Sequence, residues 1–153
     1  MRLENYVGGQ FVPARSAATL DDIGPATGEV ITTLPRSGPE DVDDAVRAAT
    51  TAMEGRWGRA TVAERADLCD TIADRIEAEL DRFAALESLD TGKPVQLART
   101  VDIPRAVSNF RFFAGAVRHG RTSMHEMDDA INYTVRRPLG VVGLITPRGR
   151  RTV

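Results

Sequence analysis

At 153 residues, 42 % hydrophobic and 27 % charged, the chain has the size and balance of one soluble globular domain. A formal charge of -2 gives no basic footprint for nucleic acid and no acidic tail, and a single cysteine leaves no disulfide framework or thiolate metal cluster. No apolar stretch approaches membrane-span length and the N-terminus has no apolar signal region, so a cytoplasmic location is expected, with no nucleic acid or membrane partner.

The first 35 residues carry short strand signals broken by turns. Tyr6-Val7 and Phe11-Val12 flank Gly8-Gly9, which predicts a hairpin, and Val30-Ile31 follows the turn-rich Gly24-Pro25-Ala26-Thr27-Gly28. Helices then take over. Ser37-Gly38-Pro39-Glu40 has the form of a capping box before a helix carrying Val42, Ala45, Val46 and Ala49, and Thr61-Val62-Ala63-Glu64 repeats the device. Behind it Leu68, Ile72, Ile76, Leu80 and Phe83 recur at i+3 or i+4, which predicts one helix with a single buried face. Gly92 suits a C-cap and Pro94 the first turn of a new helix. From Ile103, the positions Val107, Phe110, Ala114 and Val117 share a face, with Arg105, Arg111 and Arg118 opposite.

Residues 131–147 are the most strand-like part. Ile131, Tyr133 and Val135 alternate with Asn132, Thr134 and Arg136, and 139–145 is a nearly continuous apolar run. Arg137-Pro138-Leu139-Gly140 suits a turn between two antiparallel strands, while a run as apolar as 141–145 expects cover on both faces. Helices whose apolar faces need a sheet, followed by strands only at the end, predict the front part of a larger α/β fold.

Pro138-Leu139-Gly140-Val141-Val142-Gly143-Leu144-Ile145-Thr146-Pro147 resembles the segment that leads into the Pro-Trp-Asn motif of the aldehyde dehydrogenase family. Tyr6-Val7-Gly8-Gly9, Pro25-Ala26-Thr27-Gly28-Glu29-Val30, Asp41-Val42-Asp43-Asp44-Ala45-Val46 and Ser88-Leu89-Asp90-Thr91-Gly92-Lys93-Pro94 are similar to that family in the same order and spacing. Leu97-Ala98-Arg99-Thr100, Asp102-Ile103-Pro104-Arg105 and Asn109-Phe110-Arg111-Phe112-Phe113 most resemble its 2-aminomuconic and 2-hydroxymuconic semialdehyde dehydrogenases. The resemblance implies an incomplete N-terminal part of the aldehyde dehydrogenase fold: short strands, three long amphipathic helices, a terminal β arm over 131–145 and the start of the parallel sheet. Residues 1–147 would lie on the nucleotide-binding side, with 148–153 an unrelated tail. Gly24 stands where the family usually has Asn or Asp, which removes a side-chain hydrogen bond from that turn.

Few residues point to chemistry. Cys69 lies on a helix beside Asp70 and no base, as a small hydrophobe does. His119 and His125 have no partner at metal-ligand spacing and read as solvated loop residues, as do the acidic neighbours of Met124 and Met127. Neither G-x-G-x-x-G nor G-x-x-x-x-G-K-[ST] occurs, and Lys93 reads as a helix-junction lysine. Asn132-Tyr133-Thr134 matches a glycosylation sequon that carries no weight without a signal peptide. The resemblance implies two minor sites. Asp102 is similar to the carboxylate of a structural monovalent-cation site that also uses backbone oxygens near Ile23, with a plain helix N-cap as the alternative. Ile145, Thr146 and Pro147 are similar to the strand end that lines the cofactor cleft, with ordinary strand core as the alternative.

Arg148 and Gly149 stand where the family has Trp and the Asn that donates to the oxyanion, a contribution of about 3 kcal/mol in such enzymes. The resemblance implies that the nucleophilic Cys, the Glu base and the cofactor glycines lie beyond residue 153. The expectation is therefore a truncated NAD-dependent aldehyde dehydrogenase, inactive and binding no NAD, with a frame disruption after Pro147. The alternative is a non-catalytic interaction protein that pairs through its β arm with a full-length subunit, or with itself.

Overall fold

The computed structural model describes residues 3–145. Two antiparallel hairpins lead. β1 (Asn5–Val7) pairs with β2 (Gln10–Val12) across Gly8-Gly9, whose φ values of +61° and +85° give the left-handed pair that matches a two-residue turn to strand twist. β3 (Thr19–Ile23) pairs with β4 (Val30–Pro35), and the Gly24 N–H donates to the Glu29 carbonyl to close the turn. The sequence gives no clear signal for β3, because Asp21 and Asp22 interrupt its apolar pattern on a strand that is mostly exposed.

α1 (Pro39–Glu54) starts one residue later than the expected capping box. Pro39 takes the first helical position, the Gly38 N–H donates to Asp41 Oδ2 at 2.8 Å, and the Ser37 hydroxyl is engaged with the Asn5 amide. The short α2 (Arg56–Arg59) folds back on the end of α1 so closely that a Cβ on Gly58 would lie 1.6 Å from the Met53 carbonyl oxygen. Arg65 locks this corner: it donates to the Trp57 and Ala60 carbonyls and its guanidinium lies 4.5 Å from the Trp57 ring centre.

α3 (Val62–Ala78) carries the expected box, with Thr61 Oγ1 accepting from the Glu64 N–H and Glu64 Oε2 accepting from the Thr61 N–H at 2.7 Å. The single helix predicted through Phe83 is two, because Glu79 leaves helical geometry at φ -109°, ψ 24° and α4 (Leu80–Thr91) starts anew. After Gly92 come α5 (Val95–Leu97), a π-helical turn at Ala98–Asp102 and α6 (Ile103–Arg118). Pro104, with no N–H to give the regular ladder, sits just where the π turn passes into α6.

α3 and α6 form the main helix pair. Arg111 reaches Asp74 and Glu77, and Arg118, two turns later, reaches Asp67 and Asp70, two turns earlier, so the helices run antiparallel. These arginines therefore flank the interface, which corrects their expected place on the outer face. Their stems lie along the contact while their charged heads stay in water. The seam is built from small side chains: Ala66 and Ala73 on α3 meet a face of α6 that buries Val107 and Ala114, while Leu68, Phe83 and Val117, expected in the core, are exposed. A smaller cluster joins Ala84, Ala98 and Ile103, with Ile76 and Leu80 against it.

The C-terminal expectations need the largest correction. Residues 124–126, read as loop, form β5 (Met124–Glu126), which pairs with β6 (Ile131–Tyr133), and the Thr134 N–H extends the pairing to the Ser123 carbonyl. Residues 139–145 form no strand, and the turn at Arg137-Pro138-Leu139-Gly140 joins no hairpin. A strand needs a partner to take its backbone hydrogen bonds, and among the described residues no strand is paired with this run. Every strand pair among the described residues is antiparallel, so the expected start of a parallel sheet is not among them.

Candidate functional site

Among the described residues, charged side chains from separate elements converge on a single atom at the connection from α4 to α6. Gly92 ends α4 in the left-handed conformation at φ +73°, its N–H donating to the Ser88 carbonyl. The Ser88 hydroxyl then donates to the Lys93 carbonyl at 2.6 Å, and Pro94 leads into α5. The Lys93 backbone is thus fixed on both sides. Its side chain runs to Glu87 on the last turn of α4 and to Asp102 at the end of the π turn, with Nζ 2.9 Å from an oxygen of each. Hydrogen bonds donated to Asp102 first and Glu87 second hold the Lys93 ammonium's pKa above the usual lysine value, against a smaller opposing effect of burial.

The helix N-cap reading of Asp102 is not met. The Asp102 backbone is already helical and its side chain makes no capping bond; the helix runs through it from the π turn. As a cation ligand it would have to share a carboxylate whose Oδ2 already accepts from the Lys93 ammonium. The turn after Ile23 does reach this region: Pro25 packs against Gly92, the residue before Lys93. Among the described residues no three His, Cys, Asp or Glu side chains gather as a metal site.

Of the three residues expected at the cofactor cleft, Ile145 is 99 % exposed, while Thr146 and Pro147 lie outside the described residues, as do residues 148–153. Cys69 is half-buried on α3, between the Asp67 and Asp70 that pair with Arg118. His119 caps the end of α6 and His125 lies on β5 opposite Asn132. Three surface cavities, the larger two about 690 Å³ each, are lined by residues around Trp57, Gly8 and Val42, and none of them holds Cys69 or a histidine. No helix among the described residues is long and apolar enough to cross a membrane. The cluster that the sequence reading missed is Glu87 with Lys93. A signal was available, since Lys93 is the only lysine in a chain with 20 basic residues.

Comparison with known proteins gives a consistent answer. Residues 11–147 match the model of the aldehyde dehydrogenase family. The chain is 43 % identical over 150 residues to the 2-hydroxymuconic semialdehyde dehydrogenase of Pseudomonas sp. (strain CF600), covering 95 % of this chain and 31 % of that protein. It is 47 % identical over 147 residues to the 2-aminomuconic semialdehyde dehydrogenase of Danio rerio, covering 95 % and 30 %. The structure of an aldehyde dehydrogenase from Bacillus cereus in its NAD+ complex superposes with a TM-score of 0.82 at 37 % identity, over 87 % of this chain and 28 % of that one. The chain thus spans less than a third of the length of these relatives.

Proposed function

The chain belongs to the aldehyde dehydrogenase family, and on that premise we propose that these 153 residues are framework for an NAD-dependent oxidation of a semialdehyde to a carboxylate, and do not carry out that oxidation themselves. The described fold is an N-terminal part of the aldehyde dehydrogenase fold. Residues 1–147 would be the nucleotide-binding-side region with its arm at 131–145, and 148–153 a tail of different origin. The semialdehyde class rests on the names of the relatives, and the cytoplasm is the location where such a reaction would draw on soluble NAD.

One observation carries this reading. The only thiol, Cys69, sits half-buried on α3 between Asp67 and Asp70, whose carboxylates are already paired with Arg118. Covalent oxidation of an aldehyde needs an activated nucleophile, a donor to the oxyanion and a bound nicotinamide. Purified chain mixed with 2-hydroxymuconic semialdehyde and NAD is expected to give no NADH absorbance above buffer. Turnover that follows the protein through purification and survives Cys69→Ser would overturn the assignment.

A second reading is favoured by the β5–β6 hairpin, a two-stranded sheet with all six residues exposed. Its unpaired backbone edges are a template for strand addition, so the chain would pair through this arm with a full-length dehydrogenase subunit. Co-purification with such a subunit, abolished by Asn132→Pro, is its expected outcome.

A further inference from the structure

We propose that residues 139–145 are a docking segment for a peptide-binding chaperone whose channel is apolar and whose rim is acidic, independently of any framework role in an oxidation.

The segment has unmet needs of two kinds. Its side chains are bare: Leu139 is 94 % exposed, Leu144 87 % and Ile145 99 %, while Val141 and Val142 line part of the cavity beside Val42 and stay half-exposed. Its backbone is bare as well. Among the described residues, the N–H and C=O groups of 139–145 make no hydrogen bond, and no strand is paired with the run. An occupant has to cover an apolar stretch outside any helix or strand and supply backbone partners at the same time.

Charge narrows the choice of occupant. No residue from Pro138 to Pro147 is charged, while Arg136 and Arg137 precede the run and Arg148, Arg150 and Arg151 follow it in the sequence. A second copy of the chain is a poor partner, because pairing the two runs in either direction sets arginine opposite arginine, and like charges facing each other across a strand pair are destabilising. An anionic lipid surface would attract the arginines, yet hydrocarbon offers nothing to the backbone N–H and C=O groups. A protein channel meets all three needs. Apolar walls take Val142 and Leu144 on one side of the extended run and Val141 and Ile145 on the other, the channel's own backbone takes the hydrogen bonds, and an acidic rim receives the flanking arginines.

The test mixes the purified full chain with a bacterial ATP-dependent peptide-binding chaperone in its ADP form, its channel already holding a fluorescein-labelled leucine-rich reporter peptide. The chain should displace the reporter at micromolar concentration, and ATP should release the chain. Val142→Asp with Leu144→Asp should weaken displacement by roughly tenfold or more, since each places a charge against an apolar wall. Arg137→Glu with Arg148→Glu should weaken it several-fold and flatten its salt dependence. Phe112→Ser with Phe113→Ser, which removes another exposed apolar patch, should leave it unchanged. If the aspartate variant loses its helical circular dichroism, synthetic peptides of residues 136–147 replace it: the native peptide should displace the reporter and the aspartate-bearing one should fail. No displacement, displacement that ATP does not reverse, or as large a loss from the phenylalanine changes as from the aspartates overturns the proposal. Self-assembly that shields 141–145 from hydrogen exchange, which would seat a second copy there, overturns it too, as does binding to phosphatidylglycerol vesicles that the aspartate variant loses.

Discussion

Gly92 and Pro25 touch so closely that a Cβ on Gly92 would lie 2.8 Å from the proline Cγ. The contact seats the turn after β3 on the end of α4, beside Lys93, and it forms because Gly92 holds φ at +73°, where a side chain is unfavourable in any case. Gly92→Ala should therefore destabilise by about 1–2 kcal/mol from backbone strain alone, with the clash adding to it. Gly115→Ala is the contrast. It lies inside α6, where a Cβ would meet nothing within 4 Å, and should stabilise by about 0.5–1 kcal/mol. Denaturant melts of the two variants should move in opposite directions.

The start of α3 responds to pH in a defined direction. The Thr61 N–H and then its hydroxyl hold the Glu64 carboxyl below its usual pKa, with Arg56 adding to the effect. A depressed folded-state pKa means that the carboxylate stabilises the fold at every pH above the ordinary glutamate value, and that this contribution is lost as pH falls through the depressed value. Glu64→Gln should therefore lower the melting temperature at pH 7 and make no difference at a pH below the depressed value. Thr61→Ala removes the reciprocal cap and should cost about 1 kcal/mol at neutral pH.

Association is the third expectation. Among the described residues no large side chain is fully buried, while Phe112 and Phe113 stack edge to face at 5.3 Å with more than half of each exposed, and Tyr6 and Phe11 form a second exposed ring pair. Exposed apolar area on this scale drives self-association. Light scattering of the purified chain should give a mass above the 16.6 kDa monomer, with strong binding of an apolar dye, while far-ultraviolet circular dichroism stays helical. A 16.6 kDa species with a sharp cooperative melt would contradict it.

Local rules and tertiary structure divided the work along a physical line. Features set by a few neighbouring residues were legible in the sequence: the Gly8-Gly9 hairpin, the Thr61–Glu64 box, the Gly92 stop and the α6 face of Val107 and Ala114, because turn and cap energetics depend on residues within one turn of each other. The family resemblance was legible for the same reason, since it rests on the order of such motifs. What needed the assembled chain was whatever depends on a distant partner. The apolar run 139–145 reads as strand by composition, yet strand is a property of a pair, and among the described residues no strand is paired with it. Arg111 and Arg118 read as solvated, yet α3 brings four carboxylates to them. Lys93 read as a junction residue, and Asp102, nine positions on, as a cation-site carboxylate or a helix N-cap. Only the π turn, which carries the end of α5 back toward α4, set one nitrogen between two carboxylates, and no periodicity in the sequence encodes that path.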